Sequence, residues 1–443
     1  MTVNQINDSW TLYKEAVSKD SRLSFIKAFR DRLICDSRFS KAVGDDLKSA
    51  LTECYPRLTF ADIVPFVSST IREQIIGDIN PSDEALILKQ SLNLDAIQRN
   101  TIRELGPLHK GWNDWRNLQI QRFSQEDKSL RASQITHIPF AIELTQGCSG
   151  GCAFCGLSAS PLHSRGEEIS QDKNAFESLL RVLHNLAGDF GRYGILYWAT
   201  DPLDHPHYEL YADQFAETFD IWPSTTTALG ETQLDRIRRL IAGPQLNRPW
   251  GLRLSMRSPS AFTQLCKHLS PQERAMVRLL PQYNSESKSY AIAGRKFEEK
   301  KQVLQPEVGG TIACMSGFLI SLPKQKVELI TPCLADSKNI NGYRTISKVT
   351  VESEVESLAD CVSTLCQNLP CPPIHLDTRL KVSIDNSQFH LYPFDAYPNL
   401  LTRLENHSAS FKELALELRH GSMPELYAYC LFLVQTGALQ VMH

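Results

Sequence analysis

The run Thr145-Gln146-Gly147-Cys148-Ser149-Gly150-Gly151-Cys152-Ala153-Phe154-Cys155-Gly156 constrains this chain more than any other stretch. Its three cysteines stand at intervals of four and three, so one short loop presents three thiols. Glycines at 147, 150, 151 and 156 let the backbone bend closely around whatever the thiols hold. Thiolates are soft ligands that suit zinc or an iron–sulfur cluster. A structural zinc ion wants four protein ligands, so His163 or another distant residue would have to complete it. A [4Fe–4S] cluster on three cysteines instead keeps one iron open for another molecule. The run follows PFAIELTQ (139–146), an apolar stretch that reads as a strand, so the thiols stand just past a strand's C-terminal end.

Around this loop the pattern is α/β. Residues 1–135 read as helical, with an apolar stripe through Trp10, Tyr13, Phe25, Ile26, Phe29 and Leu33. After turn signals at Gly77-Asp78 and Asn80-Pro81, Ser82 and Asp83 can cap a helix whose apolar face runs through Ala85, Leu88 and Leu92. From about residue 138, short apolar runs alternate with helical stretches, the rhythm of a parallel sheet. Strands are expected at 139–146, 194–200, 224–230, 250–256, 279–280, 311–321 and 326–333. Helices are expected at 175–186, 232–242, 271–278, 287–304 and 346–370. This amounts to about six βα steps, short of the eight in a full barrel. On the fourth strand, Arg253 and Ser255, continued by Arg257, share one face, while Leu252, Leu254 and Met256 take the other. The run 295–301 reads as a solvated helix face with alternating charges. The tail carries a hairpin (379–384 with 388–393) and two helices (410–419 and 424–435), a winged-helix-like arrangement. Four regions follow: 1–135 helical, 136–310 a partial barrel, 311–373 barrel-closing strands with a bridging helix, and 374–443 a small module.

An N-terminus without an apolar signal core and no apolar run of about 18 residues point to a reducing cytoplasm, where the twelve cysteines should mostly be buried, reactive or metal-ligating thiols and not disulfides. A net charge of −3 gives no sign of a nucleic-acid or membrane partner.

The cysteine spacing resembles the CxxxCxxC signature of radical SAM enzymes. The resemblance implies a [4Fe–4S] cluster on Cys148, Cys152 and Cys155, with S-adenosyl-L-methionine chelated at the open iron and cleaved to a 5′-deoxyadenosyl radical. Phe154 stands where that superfamily usually carries an aromatic residue. The implied fold is a partial (β/α)6 radical SAM barrel with the helical N-terminal region and the C-terminal module attached. The superfamily's Gly-Gly-Glu-Pro-like element, which meets the amino group of the cofactor, would fall at Ala199-Thr200-Asp201-Pro202. Both glycines are replaced there, leaving the Thr200 hydroxyl and the Asp201 carboxylate for that task. Arg253, Ser255 and Arg257 are the candidates for its ribose and carboxylate, or else members of an internal ion-pair network. Asp204, His205 and His207 read as a polar loop above the barrel, with a metal site as the lesser alternative.

Four segments, 112–122, 146–159, 196–209 and 328–344, look like those of radical SAM peptide epimerases acting on ribosomally made, proteusin-type precursors. Inversion at Cα needs a hydrogen returned from the opposite face, and a thiol is suited to give it. Cys333, at a strand end near the expected barrel mouth, is the leading donor and Cys314 the second. Cys35, Cys54, Cys266 and Cys430 lie in helical apolar patterns and read as core. An auxiliary cluster on Cys314, Cys333, Cys361, Cys366 and Cys371 is a rival account, though Glu328 stands where its pattern has glycine. The resemblance further implies a precursor peptide whose leader adds as a strand to the tail module, and an electron donor such as flavodoxin or ferredoxin. A cross-linking or methylating radical SAM enzyme and a zinc-stabilised peptide-binding protein are the alternatives.

Overall fold

The computed structural model describes residues 3–75, 77, 79–127, 134–166, 169–243, 247–283, 292–301, 310–351, 357–369, 379–382, 400, 403–404, 407–417, 423–435 and 438–442. Helices precede the first strand: Val3–Lys19 (α1), Ser21–Cys35 (α2), Ser37–Asp45 (α3), Leu47–Cys54 (α4), Phe60–Ile63 (α5), Ser69–Arg72 (α6), Asp83–Glu104 (α7) and Lys110–Glu126 (α8). Asp20, Asp36 and Asp46 set the breaks between the first four. Each is extended, and its carboxylate accepts N–H bonds from the turn that follows. Ser82 caps α7 as expected, accepting from the Ala85 N–H. The sequence stripe is divided between α1 and α2, where Trp10, Tyr13, Ile26 and Phe29 are buried.

These helices are tied to the strands. The Tyr13 hydroxyl donates to the Ala275 carbonyl (2.7 Å), and Trp250 Nε1 donates to the Ser91 carbonyl (2.7 Å). Lys27 is buried, pairs with Asp31 at 2.5 Å, and donates to the Val277 carbonyl at 3.0 Å. Removing one partner of a buried pair leaves the other charge uncompensated. Lys27→Met is therefore expected to cost about 3–5 kcal/mol in urea unfolding. A loss under 1 kcal/mol would show that Asp31 finds another partner.

The strands are Ile138–Glu143 (β1), Thr225–Thr227 (β2), Leu252–Met256 (β3), Arg278–Pro281 (β4), Met315–Ser321 (β5), Lys326–Pro332 (β6) and Tyr343–Thr350 (β7). Between and after them lie Ile169–Ala187 (α9), Tyr208–Phe219 (α10), Leu234–Ala242 (α11), Pro259–His268 (α12), Pro271–Ala275 (α13), Arg295–Lys301 (α14) and Leu358–Gln367 (α15). The fold is mixed α/β. β2, β3 and β4 form one parallel ladder. β1 pairs in parallel with β5, and β6 and β7 continue that sheet antiparallel. Every residue of β1 is buried, as in a strand covered on both faces. β5 thus returns to the far side of β1 instead of extending past β4.

Two expected elements differ. Residues 194–200 make only an isolated parallel bridge, Ala141 with Ile195. Side chains capture the N–H groups a ladder would use: Ala199 donates to Glu143 Oε1 (3.1 Å) and Trp198 to Thr200 Oγ1 (3.4 Å). Residues 346–350 are strand, not helix, because β6 supplies a partner edge. The helix begins only at Leu358, after a capping box of Ser357 and Asp360.

In the tail, Arg379–Val382 (β8), Ala409–Ser410 (β9), Phe411–Glu417 (α16), Met423–Gln435 (α17) and Leu439–Met442 (β10) enclose a core of their own around Leu380, Phe411 and Leu433. β8 lies between β10 and β9, both antiparallel. The expected hairpin partner, 388–393, lies outside the described residues. Arg379 and Leu380 already have strand partners on both sides. α17 packs on α8. No helix among the described residues is long and apolar enough to cross a membrane.

Candidate functional site

The cysteine loop leaves the C-terminal end of β1 and closes on itself through bridges Gln146–Ser164 and Cys148–Pro161. Gly147 has φ +87°, and a Cβ there would run into the Pro161 carbonyl. The loop rests on the ends of neighbouring parallel segments. The Ser149 N–H donates to Asp204 Oδ2 (2.8 Å), and Arg257, just past β3, donates to the Gly150 carbonyl (2.7 Å). A Cβ on Gly150 would sit 3.7 Å from Ala228, just past β2. Open parallel sheets place their sites at this end of the strands.

The three thiols are half-buried, as is Phe154 beside them. Backbone N–H groups already point at sulfur: Gly150 to Cys148 Sγ (3.3 Å) and Ala159 to Cys155 Sγ (3.4 Å). Burial pushes the Cys148 thiol up to about 11, and it raises Cys152 as well, against the pull of Arg257. Arg257 is itself steadied by Glu231 (2.6 Å).

Arg295 corrects the reading of 295–301 as a solvated face. Its guanidinium donates to the Cys152 carbonyl (2.6 Å) and the Ala159 carbonyl, and its N–H donates to the Cys155 carbonyl (3.0 Å). The sequence signal was Gly294, which adopts φ +59° so that the chain can press on Cys155 and Gly156. With an iron–sulfur cluster reconstituted on the loop, Arg295→Ala is expected to speed iron loss to a chelator about 10-fold, because groups that orient ligands contribute on that scale. Parental retention would assign Arg295 to folding alone.

Asp201 is buried and tied down. Its carboxylate accepts from Thr227 Oγ1 (2.7 Å), Ala228 N–H (2.6 Å) and Leu203 N–H (3.0 Å). Burial pushes its carboxyl up to about 6 against these bonds. Thr200 is buried beside it. On β3, Leu252, Leu254 and Met256 are buried in the core while Arg253 and Ser255 take the other face, as the period of two requires. Arg253 donates to the Tyr197 hydroxyl (3.3 Å), which donates to Thr226 (2.9 Å). Its Nε is buried with no hydrogen-bond partner among the described residues. Arg257 is spent on the loop and Glu231, the network alternative for that residue.

Cys333 is fully buried, but β6 runs antiparallel to β1. Cys333 and Cys314 therefore lie level with the start of β1, not at the end where the cysteine loop stands, which corrects the expected placement at the mouth. The loop reaches back toward them. A Cβ on Gly156 would lie 2.8 Å from Ile312, two residues before Cys314. Gly294, next to Arg295, donates to the Ile340 carbonyl (2.6 Å), and Cys333 donates to the Gly342 carbonyl (2.9 Å). Leu157, Trp198 and Tyr343 pack in the apolar cluster between the two ends. Burial pushes the Cys333 thiol up to about 12, and it raises Cys314 too.

Other candidates are placed elsewhere. His205 packs edge-on against Tyr211 and its ring nitrogen accepts the His207 N–H, so Asp204, His205 and His207 do not converge. Among the described residues no group of three or more His, Cys, Asp or Glu side chains is placed to hold a metal ion, and Cys148, Cys152 and Cys155 share one loop without being gathered into such a group. Cys361 and Cys366 are buried in the main core, and Cys371 lies outside the described residues. Cys35 and Cys430 are buried as expected, Cys266 is half-buried and Cys54 is exposed.

By its chemistry the donor set would suit an iron–sulfur cluster: three soft thiols on one glycine-rich loop, with N–H groups aimed at two of the sulfurs. Arg253, with an unpaired buried N–H, fits a polar group entering from the interior.

No family model matches the chain, and no solved structure matches it. The chain is similar to the uncharacterized protein y4wI of Sinorhizobium fredii (strain NBRC 101917 / NGR234), 28% identical over 389 residues, spanning 83% of this chain and 76% of the relative.

Proposed function

We propose that the chain is a radical SAM enzyme, built on a partial parallel barrel, that inverts L-residues to D-residues in a ribosomally made precursor peptide. The observation that carries this reading is the set of three thiols on one glycine-rich loop at the ends of parallel strands, braced by Arg257 and Arg295. Cys148, Cys152 and Cys155 hold a [4Fe–4S] cluster there, with S-adenosyl-L-methionine at its open iron. The bound pair supplies hydrogen abstraction from a peptide Cα. The protein supplies position and electrostatics. Gly150 and Ala159 donate N–H bonds to thiolate sulfur, and the two guanidinium groups offset its negative charge.

Asp201 accepts three bonds, and a carboxylate offers about four acceptor positions, which leaves one for an ammonium group. Thr200, Ser255 and Arg253 offer further polar contacts. Cys333 keeps its proton at neutral pH because burial disfavours the thiolate, so it remains an S–H donor. Inversion needs that hydrogen to arrive on the face of the Cα radical opposite the abstraction, and Cys333 is the thiol we assign to that return. The tail module takes the leader of the precursor, and a flavodoxin or ferredoxin supplies the electron.

The test is product mass after anaerobic turnover in D2O with a candidate precursor. Inversion adds one deuterium per site, cross-linking removes two hydrogens, and methylation adds a methyl group. Purified protein that carries zinc and no iron would instead favour the zinc-stabilised peptide binder.

A further inference from the structure

We propose that Arg122 and Glu126, in the last turn of α8, are positioning residues that fix the backbone on both sides of the Cys333 thiol. This rests on the epimerase reading above. Arg122 is buried, pairs with Glu126, and donates to Thr331 Oγ1 (3.2 Å) and the Pro332 carbonyl. Glu126 Oε1 accepts the Leu334 N–H (2.8 Å) and lies 3.4 Å from Arg344 Nη2. The Cys333 N–H is held by the Gly342 carbonyl, whose oxygen also accepts the Thr311 hydroxyl (2.7 Å). Four consecutive residues, 331 to 334, are therefore each fixed by a directed bond.

Stability alone does not call for this arrangement. A buried ion pair is often no more stabilising than apolar side chains of the same volume. What an ion pair adds is direction, here toward one carbonyl before the cysteine and one N–H after it. A lysine cannot reproduce the fork with which Arg122 reaches Glu126, Thr331 and Pro332 together. Arg116, on the same helix, provides the contrast. It is equally buried, but it donates to the carbonyls of Ile102, Leu105 and His137 at the start of β1. Arg116 makes none of the bonds that fix residues 331–334.

The experiment uses full-length, anaerobically loaded protein with Arg122→Lys, Glu126→Gln and, for contrast, Arg116→Lys. The readout is D-residues formed per 5′-deoxyadenosine released. Arg122→Lys and Glu126→Gln are expected to keep iron and deoxyadenosine formation while that ratio falls about tenfold, since a misplaced donor returns hydrogen less often. Arg116→Lys is expected to lower Tm and leave the ratio unchanged. A parental ratio in both Arg122→Lys and Glu126→Gln overturns the proposal.

Iodoacetamide labelling of Cys333 in the native proteins, followed by peptide mapping, gives a second readout. Faster labelling in Arg122→Lys and Glu126→Gln than in Arg116→Lys supports the anchor, and equal labelling overturns it. Should the parent protein invert nothing, the epimerase reading falls on that result alone. The labelling then still decides whether α8 fixes Cys333.

Discussion

Protein with alanine at Cys148, Cys152 and Cys155 is expected to leave an anaerobic purification colourless, without iron, and to release no 5′-deoxyadenosine from S-adenosyl-L-methionine. The parent should be brown and carry about four irons per chain, the content of one cubic cluster. The effect should be total because the loop supplies all three thiols. The fold should survive the change. The three side chains are half-buried on a loop whose geometry comes from Gly147, Asp204, Arg257 and Arg295. Tm of the mutant should therefore stay within a few degrees of cluster-free parent, a small perturbation on the usual scale for partly exposed sites. A triple mutant that still cleaves the cofactor would remove the basis of the proposed function.

Cys333→Ala should separate abstraction from return. This variant is expected to bind iron and to release deoxyadenosine, yet to form no D-residue. Losing a small buried thiol costs little packing, so loss of the product would report the missing hydrogen and not unfolding. In the parent, the hydrogen newly placed at Cα should carry deuterium from D2O through the exchangeable thiol. In the mutant that label should vanish together with the inverted residue. Normal D-residue formation by Cys333→Ala would move the role to Cys314, which lies at the same end of the sheet beside the Arg253 charge.

Much of the site was legible in the chain because it is local. Cys148, Cys152 and Cys155 fall within eight residues, and the strand before them is mostly apolar. The alternation on β3 was equally readable, since a strand has a fixed period of two. Arg295 was not. In sequence it opens a run of charges that looks solvated, and only the turn at Gly294 brings it back over Cys152 and Cys155. The 194–200 strand failed for a related reason. Its residues favour a ladder, but Glu143 and Thr200 capture the N–H groups of Ala199 and Trp198. Strand propensity cannot anticipate a side chain fifty-odd residues away that competes for the same donor.

The sequence by itself determined the glycine-rich cysteine loop, the α/β rhythm around it, the cap that starts α7, and the burial of Cys35 and Cys430. These depend on neighbours within a few turns of the chain, where spacing and composition act directly. The tertiary structure alone decided that β5 crosses to β1, that β6 then runs backward, and that Cys333 therefore lies at the opposite end of the sheet from the cysteine loop. It also decided that Arg122 and Glu126, some two hundred residues earlier, fix that cysteine's backbone. Strand order and direction arise from pairing between distant edges, and a buried charge takes its partner from whichever segment the fold brings there. Neither leaves a mark on the local pattern of residues.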